Sequence, residues 1–210
     1  MKLLFKRALE HVETPWKNGQ GATRQFAIYP FESKFPDDPF VWRLSSAKIS
    51  QSSPFSRFAG YERILTVIDG QGLEVGGKKM GLHEFIAFSG DLNFSAHLSS
   101  GPIEDFNIIY SPEFVKVHSK YLFLNAEDPD HFAKEMNSTF IFVFCIKGNV
   151  VVRVNREERV LGPGDTLLLD RSAKDSYVQV ASPLWVEIVQ QNPKSLSLFV
   201  QIDMITKSPL

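Results

Sequence analysis

The chain has 210 residues and a net charge of −1, and its 23 Lys and Arg are scattered rather than clustered, so it carries no basic footprint for a phosphate backbone or an anionic membrane surface. No window approaches the roughly 18 consecutive apolar residues of a membrane-spanning helix, and the apolar run from Leu3 to Phe5 is broken at once by Lys6 and Arg7, short of the roughly 7–15 apolar residues of a secretory leader. A cytoplasmic protein with neither nucleic-acid nor membrane partners is expected, and the single Cys145, set in FIFVFCIKG, excludes an internal disulfide and reads as a buried, inert thiol.

Short runs of aromatic and β-branched residues, Phe alone contributing 18, are separated by Gly, Pro, Asn and Asp at intervals of about 8–12 residues, which predicts an all-β sandwich or barrel. In chain order, strands are predicted over 23–30, 40–50, 61–70, 72–77, 83–90, 93–99 and 105–111. After Pro112 they follow over 116–125, 138–148, 149–161, 165–171, 176–182 and 183–190. One helix is predicted near 128–136, in DPDHFAKEM, with Asp128 as its cap and Pro129 in its first turn.

Two stretches repeat one another. ILTVIDGQGLEV leading to HEFIAFSGD and IFVFCIKGNVVVRV leading to ERVLGPGDTLLLD both run strand, Gly turn, strand, loop, strand, Gly-Asp. The repeat predicts a duplicated barrel, with one larger sandwich as the alternative, and domains over 1–112 and 113–210. The second domain reads as mainly structural. Its Gly164-Asp165 is expected to be a turn, Gly supplying a positive φ and Asp bonding nearby backbone.

Unusual polar residues concentrate in the first half. Period-two alternation in FVWRLSSA puts Trp42, Leu44 and Ser46 on one face and Arg43 and Ser45 on the other; in EDFNIIYS it sets Asp105 and Asn107 opposite Phe106 and Ile108. Arg63 shares its face with Leu65 and Val67, which turns it inward. A buried guanidinium needs a partner, because an unpaired desolvated charge costs several kcal/mol. That partner is either Asp105 or a ligand carboxylate gripped by the arginine fork, and an arginine held by aspartate still has donors to offer. Near the N-terminus Trp16, Lys17 and Asn18 precede Gly19 and Gly21, which reads as a turn before the first strand or as a polar lid over a barrel mouth. No strand–GxGxxG–helix context exists, so dinucleotide binding is rejected. His11, His83, His97, His118 and His131 form no close pair and match no metal-ligand spacing.

PWKNGQGATRQ (15–25), WRLSSA (42–47), PFSRFAGYERIL (54–65), GQGL (70–73), FSGD (88–91) and DFN (105–107) together resemble the HutD/Ves family of bacterial proteins, over the first half of the chain. The resemblance implies a bicupin: two cupin-like, jelly-roll-type β-barrels in one chain. Where a metal-binding cupin has two histidines and a glutamate, this chain has Ser56, Phe58 and Arg63, which implies a site without metal or cofactor. The resemblance further implies a protein that senses or buffers a small carboxylate metabolite of histidine utilisation, of the urocanate or formylglutamate type. Carried over by motif, the ligand-binding residues are Trp16, Asn18, Gly19, Arg43, Ser45, Ser56, Arg63, Asp105 and Asn107, with no catalytic residue and no metal ligand. Gln20 departs from the pattern, where a glycine is common. The alternative is a metal-independent isomerase or hydrolase in which Asp105 serves as general base beside Arg63. A homodimer through exposed edge strands is left open.

Overall fold

The computed structural model describes residues 1–16, 19, 21–124, 132–155, 157–172, 184–190 and 195–205. Its described residues are β-strands and loops, with one short 3-10 turn at Ala8–Glu10, and among them no helix is long and apolar enough to cross a membrane. Two compact units emerge, His11–Val115, and Lys116–Leu210 together with Met1–Glu10.

The strands follow the alternation of the sequence. After β1 (Lys2–Lys6), the first unit contributes β2 (Glu13–Pro15), β3 (Gly21–Tyr29), β4 (Trp42–Ile49), β5 (Ser53–Pro54), β6 (Glu62–Asp69), β7 (Leu73–Val75), β8 (Lys78–Met80), β9 (Phe85–Ser89), β10 (Ser95–Leu98) and β11 (Ile103–Tyr110). They form a six-stranded sheet in the order β2-β3-β4-β11-β6-β9 and a four-stranded sheet β5-β10-β7-β8. The chain continues as β12 (Val115–Leu124), β13 (Phe132–Met136), β14 (Phe140–Lys147), β15 (Val150–Val154), β16 (Glu157–Leu161), β17 (Thr166–Asp170), β18 (Leu184–Gln190) and β19 (Ser195–Met204). These make a five-stranded sheet β1-β17-β14-β19-β12 and a four-stranded sheet β13-β18-β15-β16.

The strand orders coincide. β4-β11-β6-β9 corresponds to β12-β19-β14-β17, and β5-β10-β7-β8 to β13-β18-β15-β16, so the repeat seen in the sequence is a repeat of topology. Each unit buries its own apolar cluster. Leu65, Val67, Leu73, Val75 and Ile103 are in the first; Ile141, Val143, Leu167, Leu169 and Phe199 are in the second.

Four expectations need correction. Residues 1–10 do not belong with the first half: β1 pairs along β17 from Lys2 with Asp170 to Lys6 with Thr166, turning Leu3 and Phe5 toward the second cluster. Five residues are too few to read as a strand until the edge of β17 is there to receive them. The division between the units then falls after Val115 rather than after Pro112. The single strand expected over 149–161 is the hairpin β15–β16, with Asn155 at φ 54 in its turn. The helix expected near 128–136 is a strand where it is described, because Phe132–Met136 pairs with β18, and this tertiary ladder outweighs a local capping signal. Residues 125–131 lie outside the described residues, as does the strand expected over 176–182.

The Gly164-Asp165 turn is as expected and does more than close a loop. Gly164 has φ +86, and buried Asp165 accepts hydrogen bonds from the Gly162 amide (3.0 Å), the Ala8 amide (2.8 Å) and the Arg7 guanidinium (2.9 Å). Asp165→Ala strands two backbone donors, and about 2–3 kcal/mol of stability is expected to be lost in a denaturant titration. Arg7 adds little to that figure, since its side chain is 61% exposed. Cys145 is fully buried, and burial, with Asp165 nearby, pushes its thiol up to about 12, as an inert cysteine requires.

Candidate ligand-binding site

Cross-strand partners share a face of a sheet, as do residues two apart along a strand. The registers of β3, β4, β11, β6 and β9 therefore set Ile28, Arg43, Ile109, Arg63 and Phe88 in one row. The next row on that face is Gln25, Ser45, Asn107, Leu65 and Ile86, and the one after it holds Thr23, Ala47, Asp105 and Val67. Two arginines thus stand two strands apart on one face, and both are buried, at 7% and 5% exposure. Ser45, Asp105 and Asn107 are buried beside them.

Arg63 and Asp105 are joined through a carboxamide. Arg63 Nη2 donates to Asn107 Oδ1 (2.5 Å), and Asn107 Nδ2 donates to Asp105 Oδ1 (2.8 Å), which also accepts from the Ala47 amide (3.1 Å). Arg43 is held in the same manner, its Nε donating to Gln25 Oε1 (2.7 Å). A neutral partner orients a guanidinium without cancelling its charge. Aromatic rings complete the setting: the Arg43 guanidinium lies 4.0 Å from the Phe35 centroid, and that of Arg63 lies 4.6, 5.1 and 5.7 Å from Phe55, Phe88 and Phe58. Arg63 Nε and Asp105 Oδ2 are buried with no hydrogen-bond partner among the described residues.

The electrostatics follow from this packing. Burial lowers Arg63 to about 10 against the opposing pull of Asp105; Arg43 falls to about 10 through burial and then through the positive charge of Arg63. Burial pushes Asp105 up to about 7, although Arg63, Asn107 and the Ala47 amide all favour its ionised form. Two mutually repelling cations therefore face a carboxyl group poised between its charged and neutral states. An anion placed among them would relieve that repulsion.

Five of the nine residues expected at the site, Arg43, Ser45, Arg63, Asp105 and Asn107, are brought together on this face. Trp16 is half-buried, and its indole N–H donates to Thr23 Oγ1 (2.8 Å) while its amide bonds the Gly21 carbonyl (2.8 Å), so its polar groups close the β2–β3 turn. Gly19, at φ +68, is exposed in that turn, and Asn18 lies outside the described residues. Ser56 is exposed, and its flanking rings, Phe55 and Phe58, are what meet Arg63. Gln25, Phe35, Phe55 and Phe88 were missed by the sequence reading. Among the described residues no three of His, Cys, Asp and Glu come together as a metal-binding group.

The duplicated unit provides an internal control. Matching β6 to β14 and β11 to β19 by register sets Ile141 in the place of Arg63, Phe199 in that of Asn107 and Ser197 in that of Asp105. Val143 and Leu167 likewise replace Leu65 and Ile86. The same ladder is therefore built over Ile141 and Phe199, with a buried serine, in one unit and over a cationic cluster in the other.

These features define a cupin-like, all-β protein of two repeated units, one of them carrying buried arginines. At the level of fold alone, the chain is similar to a cupin 2 conserved barrel domain protein from Leptotrichia buccalis, at 10% identity and a TM-score of 0.50 over 87% of this chain and 89% of that one. The HutD family model matches residues 8–185, and the chain belongs to the HutD family. It is 35% identical over 176 residues to an uncharacterized 21.2 kDa protein in the hutC 3′ region of Pseudomonas putida, covering 80% of this chain and 87% of that one. Among solved structures it is similar to a conserved protein of unknown function from Pseudomonas aeruginosa PAO1 (27% identity, TM-score 0.82, 97% of this chain and all of that one). It is also similar to HutD from Pseudomonas fluorescens SBW25 (28% identity, TM-score 0.76, 98% of this chain and all of that one).

Proposed function

We propose that the chain is a cytoplasmic binding protein for a small carboxylate metabolite, which it holds at Arg63 and Arg43 without metal or cofactor and senses or buffers rather than converts. The observation that carries this reading is the exchange of Arg63, Asn107 and Asp105 for Ile141, Phe199 and Ser197 at matching positions of the repeat. A fold that closes over two apolar residues and a serine at these positions does not need the charges, and a buried cation without structural need is most simply explained by a ligand. The matching strand orders support reading the chain as a bicupin, its first unit binding and its second structural. The relative named for its place beside hutC and the HutD structure support an acid of histidine utilisation, of the urocanate or formylglutamate type, as the ligand.

In this reading Arg63 grips the carboxylate, Arg43 supplies a second cation, and Ser45 and Asn107 orient the bound acid. An arginine–carboxylate contact in such a setting corresponds to micromolar to millimolar affinity, about −8 to −4 kcal/mol. Calorimetry with urocanate, formylglutamate and histidine is expected to give saturable heat for at least one of the acids and none for Arg43→Ala at equal concentration. Absence of heat with all three would refute the reading. One observation favours a second reading, an isomerase or hydrolase: Asp105, raised to about 7, is tuned for a general base. Product formed during the same incubations, and lost in Asp105→Asn, would decide for it.

A further inference from the structure

Asp105 is 1% exposed and unevenly satisfied: Oδ1 accepts from Ala47 and Asn107, while Oδ2 accepts from nothing among the described residues. A carboxylate buried in this manner holds its charge chiefly through Arg63, to which it is linked by Asn107, with the Asn107 and Ala47 donors adding to it. An anion docking on Arg63 brings a second negative charge to the same guanidinium. In a desolvated site two such charges cannot both persist without large cost. A docked carboxylate stays ionised because it touches the guanidinium directly, so Asp105, one residue removed, is the group that yields.

We propose that the site takes up its anion together with a proton, which Asp105 accepts, so that Asp105 sets how much negative charge a ligand can carry. The inference rests on reading the cluster as an anion site. Above about pH 7 Arg43 and Arg63 face one ionised Asp105 in the free protein; once Asp105 is neutral, both positive charges are available, and a dianion is matched in full. The charged groups acting on Asp105 are Arg63 from β6 and Glu104 of its own strand, with Arg63 acting in turn on Arg43 of β4. Its cross-strand neighbours on β4 and β6 are otherwise Ala47 and Val67, and Thr23 of β3 follows in the same row.

Burial pushes Asp105 up to about 7 in the free protein, and a bound anion on Arg63 would push it higher. Below that point it is already protonated, so affinity is flat with pH. Above it a proton must be recruited, and the dissociation constant rises about tenfold per pH unit.

N-formylglutamate, both of whose carboxylates are ionised from about pH 6 upward, is the probe, titrated into the full chain near pH 6 and near pH 8 in two buffers of different protonation heat. Nearly no proton uptake is expected near pH 6 and about one proton near pH 8. Asp105→Asn is expected to bind with equal affinity at both pH values, exchange no proton, and near pH 8 bind about tenfold more tightly than the wild type. Should that variant not fold, proton uptake by the wild type decides alone. Binding at both pH values with equal affinity and no proton exchange overturns the proposal and leaves the anion site standing. Failure of both N-formylglutamate and acetate to bind near pH 6 overturns the two together.

Discussion

Arg63→Met is expected to weaken acid binding at least about thirtyfold while leaving the protein as stable as the wild type, or more so. Arg63 is buried, it donates to a neutral carboxamide, and its Nε has no hydrogen-bond partner among the described residues. Taking a guanidinium out of water costs several kcal/mol, and hydrocarbon of similar volume in such a place is often neutral or stabilising by about 1–4 kcal/mol. Methionine has nearly the length of the replaced stem, and its sulfur packs well against rings such as Phe55, Phe58 and Phe88. Ile141, at the matching position of the second unit, shows that the ladder accepts an apolar residue there. Asp105 loses its cation in the variant and is held neutral still further up the pH scale, so the comparison belongs near pH 6, where it is protonated in both proteins. Loss of a charged contact of this kind costs about 2–5 kcal/mol of binding, at least about thirtyfold in affinity. Urea unfolding and calorimetry on the same preparation check the two halves. A stability loss of several kcal/mol with binding retained would make Arg63 a structural residue and remove the basis of the proposed site.

Phe199→Ala is expected to have the opposite signature, a loss of about 3–5 kcal/mol of stability. Phe199 is 1% exposed and packs in the second apolar cluster with Ile141, Val143, Leu167 and Leu169. Truncation removes its transfer free energy and leaves a void that neighbours locked in β14 and β17 fill only in part. A domain of this kind has about 5–15 kcal/mol to lose, so the expected change is large and readable as a shift in denaturant midpoint. A change below about 1 kcal/mol would mean the cluster can collapse over the void.

The inward turn of Arg63 could be read from the sequence because alternation is enforced by the pleat: once Leu65 and Val67 face the core, Arg63 must as well. The same logic set Arg43 with Ser45, and Asp105 with Asn107. Contacts between strands are not encoded in that manner. Gln25 reaches Arg43 only because β3 pairs with β4 across a bulge between Gln25 and Ala27, and nothing local announces that register. Phe55 and Phe58 cover Arg63 from a segment whose backbone is tied to Phe94 and Gly90, both distant in the chain. β19 escaped notice for a different reason: SLSLFVQIDM is buried on both faces over Ser195–Val200, and a strand covered on both sides loses the period-two signal. The Ser56 expectation came from aligning positions to a metal motif, which fixes sequence spacing but not which neighbour points inward.

Two copies of one hydrogen-bonded framework carry unlike interiors, so the framework itself is indifferent to whether charge or hydrocarbon lies beneath it. A descendant that traded Arg63 and Asn107 for aliphatic residues would keep every backbone ladder and lose only the proposed anion site. Shape similarity among such chains therefore outlives chemistry, and inheritance of the proposed binding role is to be judged at a few inward-facing positions of β4, β6 and β11 rather than from superposition of the whole.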